Sequence, residues 1–188
     1  QLKKIEDGCF NSCSSLQSIV IPEHVKEIGD ECFKECSNLK SITIPKSVKK
    51  IGLDCFFKCS SLQSIVIPKS VEVLDDTCFE KCSSLKSIKF EKDSQLKTIG
   101  DKCFISCSSL QSIVIPKLVK KISNNCFSEC NKLFSITFDK GINVIFEDNV
   151  LTDLPSLKKI ICDEQLHTKI MKKYSNLYKL NKKVIKFL

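Results

Sequence analysis

Alanine, arginine and tryptophan are missing from this 188-residue chain, which also holds only five glycines, five prolines, two histidines and one methionine. Each shortage excludes something. Without arginine there is no guanidinium fork to read a guanine edge or clamp a phosphate. No nucleic-acid-binding motif is present to compensate. The scattered glycines make no phosphate-cradling loop. No apolar run approaches the roughly 18 residues of a membrane span. The histidines, His24 and His167, complete no Ser-His-Asp set, and no paired-acid site stands out. Asn-x-Ser/Thr is absent too. A catalytic constellation should break a repeat, and none does. The chain reads as a non-enzyme that calls for no metal, cofactor or small-molecule substrate.

What is abundant is equally lopsided. Every one of the 30 basic residues is lysine, the net charge is +8, and there are 13 cysteines and 12 phenylalanines. AT-rich coding would favour Lys, Ile, Asn and Phe over Ala, so part of this bias has a bland origin.

The order beneath the bias is a repeat. Cys-Phe recurs at Cys9-Phe10, Cys32-Phe33, Cys55-Phe56, Cys78-Phe79, Cys103-Phe104 and Cys126-Phe127, with spacings of 23, 23, 23, 25 and 23. A weaker copy has Val150-Leu151 at the marker. A second cysteine follows at Cys13, Cys36, Cys59, Cys82, Cys107 and Cys130, then Leu16, Leu39, Leu62, Leu85, Leu110 and Leu133. Alternation in Ile19-Val20-Ile21 and its equivalents predicts a short strand with one face inward. Pro22, Pro45, Pro68 and Pro116 close it, because proline donates no ladder bond. A shorter apolar pair follows, such as Val48 and Ile51, and Gly29, Gly52 and Gly100 suggest a tight turn. Cysteines four apart would share one face of a short helical turn, with the phenylalanine filling the coil beneath. One such unit buries too little to order its own backbone, so the array is stable only as an array.

The resulting pattern, L-x-x-I-x-I-P-x-x-V-x-x-I-G-x-x-C-F-x-x-C, resembles the BspA-like, or treponemal-type, leucine-rich repeat over about residues 1–162. The family pattern usually has alanine before the phenylalanine; here cysteine stands there every time. The resemblance implies an α/β right-handed solenoid, with short parallel strands on the concave face and short helical turns on the convex face. It also implies protein-binding or adhesive roles and no common catalytic residue. The expected organisation is a solenoid over 1–162, starting mid-repeat, and a C-terminal cap over 163–188, helix then strand. Helical spacing runs from Gln165 to about Asn176, and Lys182 to Leu188 suits a last strand. Because Leu2 to Phe10 align with Val25 to Phe33, Gln1 reads as a processing boundary, with further repeats or a targeting segment before it.

The candidate binding residues are the outward strand positions: Gln17, Ser18 and Val20; Lys40, Ser41 and Thr43; Gln63, Ser64 and Val66; Lys86, Ser87 and Lys89; Gln111, Ser112 and Val114. A solenoid face of this kind commonly takes a protein partner. The alternative is cell-surface adhesion or binding of a host component. Residues 91–98 carry two extra residues and lose the proline; this reads as a tolerated surface insertion. Lysines after the prolines (Lys46, Lys49, Lys50, Lys69, Lys117, Lys120, Lys121) and in the tail (Lys169, Lys172, Lys173, Lys179, Lys182, Lys183, Lys186) read as solvated faces, not as nucleic-acid or membrane sites.

Three accounts of the cysteines compete. They are buried thiols used as small hydrophobes, disulfides between coils, or zinc ligands. Regular columns favour the first, which leans towards a reducing interior; surface members of the family pull the other way.

Overall fold

A computed structural model describes residues 2–174 and the backbone of residues 185–187. In chain order the strands are β1 (Lys4–Ile5), β2 (Glu27–Ile28), β3 (Lys50–Ile51), β4 (Ser64–Ile67), β5 (Val73–Leu74), β6 (Ser87–Phe90), β7 (Thr98–Ile99), β8 (Ser112–Ile115), β9 (Lys121–Ile122), β10 (Ser135–Phe138), β11 (Ile145–Phe146), β12 (Lys159–Cys162) and β13 (Ile185–Phe187). One helix, α1 (Glu164–Lys173), lies among the described residues. All strand pairing is parallel and in repeat register, Lys50 with Val73 and Ser64 with Ser87 for example. The two-residue strands make a seven-stranded sheet in the order β1-β2-β3-β5-β7-β9-β11, and the longer ones a six-stranded sheet in the order β13-β12-β10-β8-β6-β4. The chain is therefore a parallel β-solenoid of about seven turns with little helix, rather than an α/β structure.

The expected helical turns are absent from the repeats, and the hydrogen bonds say why. In the second coil Lys34 and Cys36 bond back three residues, to the Glu31 and Phe33 carbonyls. Between them, Phe33 and Glu35 send their N–H groups to Cys55 and Phe57 of the next coil. The same alternation repeats along the stack, as in Phe56 to Cys78 and Phe79 to Cys103. An α-helix would spend every N–H internally, and alternate ones are needed here to join coils. Left-handed residues flank the segment in each coil, at φ 56° for Glu31 and 59° for Glu35, at 52° for Asp54 and 56° for Lys58, which a right-handed helix cannot contain.

The interior follows the sequence columns. Phe33, Phe56, Phe79, Phe104 and Phe127 are fully buried. They form an offset stack with Phe10, at centroid spacings of 5.2 to 5.7 Å and interplanar angles of 7° or less. The cysteines of both columns are buried from Cys32 onwards, and all 13 are free thiols. Second-column thiols have a specific role. Cys36, Cys59, Cys82, Cys107 and Cys130 donate S–H to the Phe10, Phe33, Phe56, Phe79 and Phe104 carbonyls of the preceding coil, each at 3.1 Å. Desolvation pushes the Cys32 thiol up to about 12 and Cys36 up to about 11.

The glycines serve close approach, not a turn. A Cβ on Gly52 would sit 2.3 Å from the Asp30 Oδ1 and 2.7 Å from the Asp30 backbone nitrogen, and Gly29 and Gly100 meet Asp7 and Asp76 the same way. Those aspartates belong to a ladder. Asp7 Oδ1 accepts the Asp30 N–H, Asp30 the Leu53 N–H, Asp76 the Asp101 N–H and Asp101 the Asn124 N–H, at 2.7 to 3.1 Å. Leu53 has no acceptor to offer, and the Asp76 N–H turns to Asp75 instead.

Residues 163–174 close the described end. Asp163 caps α1, with Oδ1 accepting the Leu166 N–H at 2.9 Å and Oδ2 the Gly141 N–H at 2.8 Å. Leu166, Ile170 and Tyr174 are buried against the last coil. Lys169 donates to the Val144 carbonyl at 2.8 Å, and Lys173 to that of Phe146. These two lysines tie α1 to the last coil, and with Lys172 they remain solvent-exposed as expected. The expected helix residues beyond Tyr174, and the side chains of Lys179, Lys182, Lys183 and Lys186, lie outside the described residues. No helix of the described residues is long and apolar enough to cross a membrane.

Candidate binding face

The outward side of the longer strands is the surface that the alternation pointed to. In β4 and β8 the pattern is exposed, buried, exposed, buried. Ser64, Val66, Ser112 and Val114 thus stand out while Ile65, Ile67, Ile113 and Ile115 go in. Gln17, Ser18, Val20, Lys40, Ser41, Thr43, Gln63, Lys86, Ser87, Lys89 and Gln111 are likewise exposed. Register aligns Ser64 with Ser87 and Val66 with Lys89, and a lone bridge joins Val20 to Thr43.

Charge separates this surface from the rest. No acidic residue occupies any of these positions. Lys40, Lys86 and Lys89 make no ion pair among the described residues, whose salt bridges lie elsewhere. On the seven-stranded side Lys50 meets Asp75 at 3.3 Å, Lys97 meets Glu72 at 2.5 Å and Lys121 meets Glu147 at 2.8 Å. Part of the lysine stripe after the prolines is therefore neutralised in place. The strand face keeps uncompensated lysines beside exposed apolar groups: Val20 is 90% exposed, and Val66, Val114 and Phe134 about half.

Two clefts cut this face, and the sequence columns gave no warning of the first. Thr43 pairs with Val20, and β4 pairs with β6, but no ladder joins Ser41–Ile44 to β4. The resulting cleft, about 400 Å³, is lined by Thr43, Val66, Glu23 and Glu91 among others. So the first two coils hold no regular strand on this side, and Ile19, expected inward, is only partly buried. The second cleft, about 840 Å³, lies between β6 and β8 and includes the insertion. Phe90, expected in the core, lines it and is half-buried.

Elsewhere, the Lys34, Lys58 and Lys81 ammoniums lie 5.2 to 5.4 Å from the Phe57 ring centre. They are satisfied by Asp54, Glu35 and Glu80, at 2.7 to 3.0 Å. His24 is exposed and His167 sits on α1, far apart in sequence and in different elements. No group of three or more His, Cys, Asp or Glu with metal-holding geometry occurs among the described residues.

Comparison with known proteins completes the description. The model of the BspA type leucine rich repeat region, in six copies, matches residues 3–96 and 97–186. No curated protein matches the chain. Among solved structures, a leucine rich repeat protein of T. pallidum is 27% identical with a TM-score of 0.72, over 90% of this chain and 75% of that one. A leucine-rich repeat protein from Bacteroides ovatus is 23% identical with a TM-score of 0.53, over 85% of this chain and 58% of its own. The pneumococcal vaccine antigen PcpA is 22% identical with a TM-score of 0.50, over 86% of this chain and 54% of its own. The last two are similar in fold alone, and this chain spans little more than half of each.

Proposed function

The chain belongs to the BspA-type leucine-rich repeat family, and from that premise we propose that it is a non-catalytic scaffold that binds another protein through the outward face of its longer strands. The family is typically non-catalytic, and its fold suits protein binding generally. One observation supports the choice of face. Its outward strand positions combine exposed valines and no carboxylate with lysines that make no ion pair among the described residues, whereas Lys50, Lys97 and Lys121 on the opposite side are paired. Uncompensated charge steers a partner of opposite sign, and the apolar groups supply area once it docks. The partner surface is accordingly acidic with an apolar centre. Adhesion to a host component would use the same residues.

The test begins with a photo-crosslinker at Val66, used in the native cell to identify a partner. Lys40→Glu with Lys86→Glu should then weaken that partner's binding by about tenfold or more, roughly 1.4 kcal/mol. Unchanged affinity would remove this face from consideration.

A further inference from the structure

The insertion at residues 91–98 does more than lengthen a loop. β4 and β6 pair at four positions ending with Ile67 and Phe90, and β8 and β10 at four ending with Ile115 and Phe138. Between these pairs, β6 and β8 meet only at Ser87 and Ser112. From Ile88 onwards the two strands part. The seven-stranded sheet shows no such break, since Thr98 pairs with both Val73 and Lys121. The split is one-sided.

The inserted loop is anchored on the coil before it. Glu91, Gln95 and Lys97 send their N–H groups back to the Ile67, Lys69 and Glu72 carbonyls. The Glu91 carboxylate accepts the Lys69 N–H at 3.1 Å. Ser94 and Leu96 are buried beneath. These ties run to the preceding coil, while β6 and β8 pair only at Ser87 and Ser112, which leaves the β8 edge that faces β6 unpaired beyond Ser112. An open strand edge is a template for another strand.

The groove has a chemistry of its own. Its apolar lining is Phe90, Val114, Pro116 and Leu118. Lys89, Lys92, Lys117 and Lys140 also line it, and none makes an ion pair among the described residues. The lining also holds Glu91, Asp93 and Asp139, the first and last of which accept the Lys69 and Lys117 N–H groups, so its four lysines exceed its acids by one. At about 840 Å³ the space lies within the ~300–1,000 Å³ range of ligand sites.

We propose that this groove takes an extended acidic peptide, which pairs with the open edge of β8 beyond Ser112, seats an apolar side chain between Phe90 and Leu118, and meets the surrounding lysines with its carboxylates. The proposal rests on the reading of this face as protein-binding and narrows it to one slot. The smaller cleft beside Thr43 is a built-in contrast, because its lining sets Glu23 and Glu91 against Lys46 alone, whereas the groove sets four lysines against three acids.

The test uses the full chain, isotope-labelled, and an acetylated, amidated peptide Glu-Asp-Val-Val-Val-Asp-Glu as probe. Expected are binding below about 1 mM and amide shifts centred on Lys89, Phe90, Val114 and Ile115. Lys92→Glu with Lys140→Glu, both exposed, should weaken it by about tenfold. Removing Lys92 and Asp93 restores the shorter spacing and should abolish binding; if that variant does not fold, the charge reversal carries the test. No binding at about 1 mM, shifts centred on the Thr43 cleft, indifference to the charge reversal, or equal displacement by a single-stranded DNA of the same charge would each overturn the proposal. If Lys40→Glu with Lys86→Glu abolishes the native partner and Lys92→Glu with Lys140→Glu does not, the slot fails and the wider face stands.

Discussion

The phenylalanine stack should couple neighbours and nothing further. Phe56 and Phe79 are both fully buried, with ring centres 5.2 Å apart and planes 7° from parallel. Phe33 and Phe104 are as deeply buried, but both of those rings stand between them. Replacing phenylalanine by leucine keeps most of the core filled and removes the ring. Each single change should cost about 1–3 kcal/mol. The stacked contact itself is worth about 0.5–1.5 kcal/mol beyond buried area. A double-mutant cycle on Phe56→Leu and Phe79→Leu should recover that amount as coupling. The same cycle on Phe33→Leu and Phe104→Leu should be additive within roughly 0.3–0.5 kcal/mol. This is the nearest-neighbour behaviour expected of a solenoid in which each coil touches only the next. Urea unfolding is the assay, with the slope checked for each variant so that a change in cooperativity is not read as stability. Equal coupling in both cycles, or none in the adjacent pair, would refute the reasoning.

Other consequences of the structure are open to simpler measurement. Native alkylation should label Cys9 and Cys13, the two exposed thiols, and denaturation should release the remaining eleven of 13; rapid native labelling of Cys82 would contradict its burial. Burial raises the folded thiols, Cys32 and Cys130 to about 12 and Cys162 to about 11. Their contribution is therefore complete below the unfolded value of about 8.5 and is lost as pH rises through the folded ones, so urea midpoints should fall above that pH. Asp163 is shifted the other way, held low by the Leu166 and Gly141 N–H groups. Its support for α1 is present above about pH 3.9 and lost on further acidification; Asp163→Ala should remove about 1 kcal/mol at neutral pH, read from helix signal on heating. Gly52→Ala should destabilise by about 1–3 kcal/mol, and Asp30→Ala should not restore it, because the Asp30 backbone nitrogen also lies 2.7 Å from the new methyl group.

The columns were legible because every coil fills the same space. Phe33 and Phe79 face identical surroundings, so one spacing locates both, and the in–out alternation of Ser64 to Ile67 follows from pleat alone. What the period could not carry was how the backbone spends its hydrogen bonds. Cysteines four apart suit a helical turn, yet Phe33 and Glu35 are needed by the next coil, and that demand is invisible within one repeat. The glycines misled for a similar reason. Their neighbour is not the following residue but an aspartate a coil earlier. That aspartate column, Asp7, Asp30, Asp76 and Asp101, was present in the sequence and would have shown the ladder had it been set beside Gly29 and Gly52.

Uniform coils cannot by themselves single out a partner, because each rung offers nearly the same side chains as the last. Discrimination must come from where the stack departs from its period. Two departures are available on the strand face, and they differ in kind. The cleft beside Thr43 arises without any change in repeat length and is bounded by two glutamates. The cleft beside Phe90 accompanies two added residues: β6 and β8 pair only at Ser87 and Ser112, Phe90 stays half-buried at the core's edge, and the lining lysines make no ion pair among the described residues. Continuity of the seven-stranded sheet through the same coils lets this happen without dividing the core: Leu96 and Ile99 remain fully buried behind the opening. An insertion that was tolerated merely as slack would need none of these features, and deleting Lys92 and Asp93 would then close a loop and change nothing that binds.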